Sequence, residues 1–175
     1  GLTTVEEAAA YATFGNGGLY YEPTLYTVIK DQSNKTVLEY DSEPIQAISE
    51  ETSYIMNKMM QTVVSGGTGG AAAFGGWEIF GKTGTTNDQS DGWFIGYTPQ
   101  LTAGAWAGFE DMQVHFAALA NGGGSASALP IWGYFMQSVR KDPSLAAYYS
   151  VDTFESPSNF ELNLDCDADA LATDA

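Results

Sequence analysis

The sequence predicts an α+β unit in which an antiparallel sheet is flanked by helices, and three features of the residue pattern predict it. Helix-forming patterns open the chain and return over 49–64 and 131–139. Three segments rich in β-formers, 77–85, 92–97 and 101–109, follow one another closely. The links between them are too short for crossover helices, so neighbouring strands must run antiparallel.

Taken in order, the Ala-rich run 5–14 favours a helix. Thr4 with Glu7 three places on makes a capping box, and Gly15 supplies a helix end. Gly17 and Gly18 break the pattern. Segments 19–30 and 36–40, rich in β-branched and aromatic residues, surround the polar link 31–34 and predict a hairpin. Ser49 can cap a second helix, with Glu50 and Glu51 placed favourably in its first turn. Ile55, Met56, Met59, Met60, Val63 and Val64 fall at helical spacing, so the methionines are expected in the core and not as cofactor ligands. Apart from Phe74, residues 65–76 are almost all Gly, Ala, Ser and Thr, a loop that is either mobile or closely packed. Pro130 stands near the start of the last amphipathic helix, 131–139.

With 175 residues, 44% of them hydrophobic, the chain can bury one substantial core and falls short of two ordinary domains. Six basic against 22 acidic residues give a net charge of -16, which excludes nucleic acid and anionic membrane surfaces as partners. The boundary is expected near 141: residues 1–141 carry the helices and strands, and 142–175 have no Lys or Arg after Lys141 and read as a solvated acidic tail. No apolar run approaches the ~18 residues of a membrane span. The opening Gly1-Leu2-Thr3-Thr4, leading at once into a helix pattern, is expected to continue from upstream sequence, so location has to be read elsewhere. The lone Cys166 and the lone His115 cannot build a disulfide or a zinc site, and both read as structural; no metal and no cofactor is called for.

The segment Gly81-Lys82-Thr83-Gly84-Thr85-Thr86 carries the chemistry. On a strand, alternation puts Thr83 and Thr85 on one face, where two hydroxyls can converge on one acceptor, while Gly84 allows close packing on the other. Lys82 is the one Lys or Arg between Lys58 and Arg140, a local positive spot in an acidic chain. A carboxylate is the natural guest. Asp91, in the following link, reads as satisfying turn amides.

With Asn87, then Asp91-Gly92-Trp93-Phe94-Ile95-Gly96-Tyr97-Thr98-Pro99 and Trp106-Ala107-Gly108, this K-T-G segment closely resembles the bifunctional class A penicillin-binding proteins. The resemblance also takes in Ala10-Tyr11-Ala12-Thr13-Phe14, Asn16-Gly17-Gly18, Pro23, Val63-Val64-Ser65-Gly66-Gly67-Thr68-Gly69 and Pro130-Ile131-Trp132, so it runs from about Thr3 to Val139. It implies the C-terminal part of a transpeptidase domain, a partial β-lactamase/transpeptidase-like fold. It further implies that Thr83, Gly84 and Thr85 bind the carboxylate of a stem peptide ending in D-Ala-D-Ala, a terminus that β-lactam antibiotics imitate. The Thr85 amide would supply half of an oxyanion hole, and Lys82 would help position a serine hydroxyl for proton transfer, so Lys82 and Thr85 are the catalytic candidates.

The family also needs an S-x-x-K nucleophile and an S-x-N motif ahead of K-T-G, and neither is present upstream. Ser138-Val139-Arg140-Lys141 matches S-x-x-K only as a string, after K-T-G and at the end of the last helix. The expectation is a parent D,D-transpeptidase of peptidoglycan biosynthesis, with an N-terminal glycosyltransferase, anchored on the outer face of the cytoplasmic membrane. This chain would be inactive without the upstream remainder of its domain. The alternatives are a non-catalytic docking module that keeps the fold, and a D,D-carboxypeptidase or β-lactamase that uses water as acceptor.

Overall fold

The computed structural model describes residues 1–150, 153–158, 160, 161 and 164. Helix α1 (Thr4–Gly15) begins where the Thr3 hydroxyl accepts from the Glu6 amide at 3.2 Å and the Thr3 amide donates to Glu6 Oε2 at 2.7 Å. The capping box is therefore Thr3 with Glu6, one residue earlier than the predicted Thr4 with Glu7. Both registers fit the sequence, and packing chooses between them: Thr4 lies against Gly104, where a Cβ would come within 3.0 Å of Thr4 Cγ2.

Four short strands follow, β1 (Leu19–Tyr20), β2 (Val28–Lys30), β3 (Thr36–Glu39) and β4 (Ile45–Gln46). Strands β2 and β3 form the predicted hairpin, its turn held by Asp31, whose carboxylate accepts from the Ser33 and Lys35 amides at 2.8 and 3.0 Å. The stretch 19–30 is not one strand. Pro23 has no amide proton to give to a ladder, and β1 pairs with β4 instead.

Helix α2 (Glu50–Ser65) is capped by Ser49, which accepts from the Thr52 amide at 3.2 Å. Its buried residues are Ser53, Asn57 and Val64, whereas Met59 is exposed and Met56 and Met60 are half-buried. The expectation of a methionine core on α2 is thus corrected, and the reason lies in α1. The last carbonyls of a helix have no partner within it. Phe14 O is one of them, and it accepts from Ser53 Oγ at 2.6 Å and Asn57 Nδ2 at 3.0 Å. Asn57 Oδ1 in turn accepts from the Tyr97 hydroxyl at 2.7 Å. Burial, with a smaller contribution from Tyr11, pushes the Tyr97 phenol far above its ordinary range, so it stays protonated and keeps donating.

Strands β5 (Phe80–Thr85), β6 (Asp91–Tyr97) and β7 (Thr102–Gly108) form the main sheet, antiparallel in the order β5-β6-β7, with unbroken register from Phe80↔Tyr97 to Thr85↔Gly92 and from Asp91↔Gly108 to Tyr97↔Thr102. The first of these begins at Phe80, not at 77. Gly75 and Gly76, both at positive φ, turn the chain so that Trp77 and Ile79 enter the core before pairing starts. After the short helix α3 (Leu119–Gly122), helix α4 (Ala128–Lys141) packs on β6 and β7. Trp132 anchors it: its indole N–H donates to Gly96 O at 3.1 Å, and a Cβ at Gly96 would meet the ring at 2.7 Å. Tyr97 and Phe94 alternate to opposite faces, so α1 and the start of α2 cover one side and α4 the other. Val64, at the far end of α2, joins Trp132, Phe94, Leu129 and Met136 in the core.

Most of the described residues beyond 141 are exposed, and a few of them pack on the body of the fold. Asp142 caps a 3-10 turn, Pro143–Tyr148. The Phe154 ring stacks on Phe80 at 4.5 Å while its amide donates to Glu78 at 2.7 Å, and Phe160 meets Tyr54 edge-on at 4.7 Å. Aromatic residues among the acids give this segment apolar area to bury. Cys166 and the acidic residues after 164 lie outside the described residues.

Two outcomes follow from these contacts. Asn57→Ala leaves Phe14 O and the Tyr97 hydroxyl short of partners in a buried site, and should lower unfolding free energy in urea by about 2–4 kcal/mol, against about 1 kcal/mol for Tyr97→Phe. The Thr3 amide, then the Thr3 hydroxyl, hold the Glu6 carboxyl below its ordinary value of 4.5. Its contribution to stability is therefore complete above that value and is lost as pH falls through the lower folded-state one. Acid unfolding of Glu6→Gln should show a shallower dependence in that window than the unsubstituted chain.

Candidate active site

Strand β5 is an edge strand: β6 pairs with it on one side, and among the described residues no strand pairs with the other. Helix α2 packs along it. Its buried residues, Phe80 and Gly81, give way to exposed Lys82, half-buried Thr83 and Gly84, and exposed Thr85. The outer half of the strand is thus an accessible rail.

Register places Thr83 opposite Phe94 and Thr85 opposite Gly92, so both hydroxyls lie on the α4 side of the sheet, as alternation predicted. Each already has a protein partner. Thr83 Oγ1 is 2.6 Å from Thr68 Oγ1, and Thr85 Oγ1 accepts from the Gly124 amide at 3.0 Å. Lys82 lies on the opposite face of the strand, and its ammonium turns back along the edge to donate to Thr83 O at 2.7 Å. Gly84 is held close: a Cβ there would come within 3.1 Å of Trp93 Cβ. The four predicted site residues therefore share one exposed edge, with Lys82 reaching it from the opposite side to the two hydroxyls.

Although the Asp91 carbonyl accepts from the Thr86 amide at 3.1 Å, the carboxylate does not serve turn amides, and that reading of it is corrected. Its Oδ1 accepts from the Trp106 indole at 2.8 Å and its Oδ2 from the Thr86 hydroxyl at 3.0 Å. Cross-strand Trp106 is near enough to compete for the carboxylate, which ties β7 to the end of the K-T-G segment. That link is strained, with Asp88 and Gln89 both at φ 57°. Ser138 is exposed on α4 and donates to its own helix at Tyr134 O, 2.7 Å away. His115 is exposed, its Nδ1 3.2 Å from Phe116 O. Among the described residues no group of His, Cys, Asp and Glu could hold a metal, and no helix is long and apolar enough to cross a membrane.

The neighbours of the two hydroxyls, Thr68 and Gly124, were given no role from sequence. Each sits in a glycine-rich run, Gly66-Gly67-Thr68-Gly69-Gly70 and Gly122-Gly123-Gly124, and such runs permit close backbone approach without saying to what.

Helices packed on this antiparallel sheet make the fold of penicillin-binding transpeptidases. Penicillin-Binding Protein 1A from Haemophilus influenzae superposes with a TM-score of 0.72 at 24% identity, over 81% of this chain and 27% of that one. PonA1 from Mycobacterium tuberculosis gives 0.72 at 24% identity, over 91% and 41%. Penicillin-binding protein A from M. tuberculosis, solved as an imipenem acyl-enzyme complex, gives 0.61 at 24% identity, over 78% and 31%. The family model described as "Penicillin binding protein transpeptidase domain" matches residues 1–129, so the chain belongs to that family. Penicillin-binding protein 1A of Clostridium acetobutylicum is 40% identical over 138 residues, 78% of this chain, and penicillin-binding protein 4 of Bacillus subtilis is 41% identical over 108, 62% of this chain. The chain spans 16% and 17% of the length of these two relatives.

Loop closure over the rail has a direct check. A Cβ on Gly124 would overlap the carbonyl oxygens of Gly84 and Trp93. Gly124→Ala should push the loop 122–127 off the strand at a cost of about 1–3 kcal/mol. Hydrogen exchange should then quicken in that loop while the amides of β6 stay protected.

Proposed function

We propose that the protein to which this chain belongs is a peptidoglycan D,D-transpeptidase, and that the chain supplies its K-T-G substrate-binding strand. The observation that carries the reading is the exposed outer edge of β5, where Thr83, Thr85 and Lys82 stand together within the residues matched by the family. Thr83 and Thr85 would grip the terminal carboxylate of a stem peptide ending in D-Ala-D-Ala, with Gly84 keeping the strand close against β6. Thr85 N–H would donate to the oxyanion that forms when a serine from upstream sequence attacks the penultimate carbonyl. The C–N bond then breaks, and the departing D-alanine takes a proton that Lys82 helps to position through a serine hydroxyl. An acceptor amine attacks the ester, cross-links the two stems and returns the serine. β-Lactam antibiotics enter the same place as imitations of the D-Ala-D-Ala end, a reading supported by the imipenem acyl-enzyme of a fold neighbour.

The groups that attack are not in this chain. Ser138, the serine of its single S-x-x-K string, is engaged with its own helix on α4, which supports rejecting it as nucleophile. The chain alone is therefore proposed to be inactive, completed by the upstream remainder of the transpeptidase domain. An N-terminal glycosyltransferase and a membrane anchor that hold the whole on the outer side of the cytoplasmic membrane belong to the same proposal, as does residue 141 as the end of the domain. No cofactor enters the chemistry.

Labelled penicillin tests this directly. A protein carrying the complete domain should form a stoichiometric adduct, and this chain none. Thr83→Val and Thr85→Val should each lower the second-order acylation rate about tenfold or more, the worth of a hydrogen bond to a charged group. An adduct on the isolated chain would overturn the assignment of an inactive fragment, and a complete domain that takes no label would favour a docking module.

A further inference from the structure

Two hydroxyl oxygens 2.6 Å apart, Thr68 Oγ1 and Thr83 Oγ1, share one proton between them, so one must donate and the other accept. The direction is set by what meets the outer hydroxyl. A carboxylate can only accept. When it docks on Thr83, the Thr83 proton turns outward to it and can no longer serve Thr68. The short contact then survives only with Thr68 as donor.

We infer that Thr68 is a positioning residue that polarises Thr83 toward an anionic chain end, in a relay running Thr68 to Thr83 to carboxylate. The inference rests on the transpeptidase reading above and deepens it. A hydroxyl whose oxygen accepts one hydrogen bond donates a stronger one. Thr85 is prepared by the same logic, because the Gly124 amide can only donate, which leaves the Thr85 proton free to point away from the protein. Both hydroxyls of the rail thus take a hydrogen bond from the protein and have one to give.

The loop is built to hold Thr68 there. The Gly67 and Gly69 amides both donate to Val63 O, at 3.2 and 2.9 Å, folding the chain back on the last turn of α2 with Thr68 between them. A Cβ at Gly67 would lie 2.9 Å from Val63 Cα, and one at Gly69 3.2 Å from Val63 O. Val64, next in sequence, is buried in the core and fixes that turn. The backbone at 68 is therefore placed by its neighbours. Thr68→Val keeps the shape of the side chain and removes the hydroxyl.

The test compares acylation of a protein carrying the complete domain by a penicillin and by its methyl ester, in which the carboxylate has lost its charge. Thr68→Val should slow the acid about tenfold, the scale of one hydrogen bond to a charged group, and leave the ester rate and the melting temperature unchanged. Thr68→Ser should restore the acid rate. A merely structural role would slow acid and ester alike. That result, indifference to Thr68→Val, or failure of Thr68→Ser to rescue would overturn the inference while leaving the transpeptidase reading in place. An unsubstituted domain that takes no penicillin would overturn both.

Discussion

The buried amide of Asn57 is the contact on which the arrangement of this protein depends. Through Nδ2 it satisfies an end carbonyl of α1, and through Oδ1 it receives the hydroxyl of Tyr97 in β6. Three elements far apart in sequence meet at one side chain that has both donors and an acceptor to offer. Low local polarity strengthens each of these bonds and makes each costly to lose. The position of α2 against the sheet follows from this junction, and the position of Thr68 follows from the end of α2.

On the other side of the sheet the constraint is steric. Glycine at 96 lets the Trp132 ring lie flat enough on β6 to donate to the strand itself, and glycine at 124 lets a loop reach the backbone of β5 and β6. Close approach of backbone is what brings an N–H to the Thr85 hydroxyl. The edge strand is thus pinned from two directions: α2 and its glycine-rich loop reach Thr83, and the loop ahead of α4 reaches Thr85. What remains open is the outer edge of the strand. Its polar groups are preorganised by contacts that the strand's own residues do not make.

Periodicity and breaker residues were enough to find the three longer helices, the hairpin and the three-stranded antiparallel sheet, because those features are local and the chain supplies several residues for each. The misses have physical causes. Two overlapping T-x-x-E strings left the helix start ambiguous, and contact of Thr4 with Gly104 resolved it. Apolar spacing pointed to the methionine side of α2 as the buried one, yet one end carbonyl of α1, Phe14 O, drew both Ser53 and Asn57 inward. Asp91 answers to Trp106, a partner one strand away that sequence distance conceals.

By itself the sequence determined the K-T-G strand, the alternation that sets Thr83 and Thr85 on one face, and the family. These depend on residue identity and a period of two, which need no knowledge of what lies across space. The tertiary structure alone decided that β5 is an edge, that Lys82 reaches that edge from the face opposite the two threonines, and that Thr68 and Gly124 stand behind the two hydroxyls. Glycine-rich runs announce that backbone can come close, but which groups come close is fixed only when helices and sheet have packed.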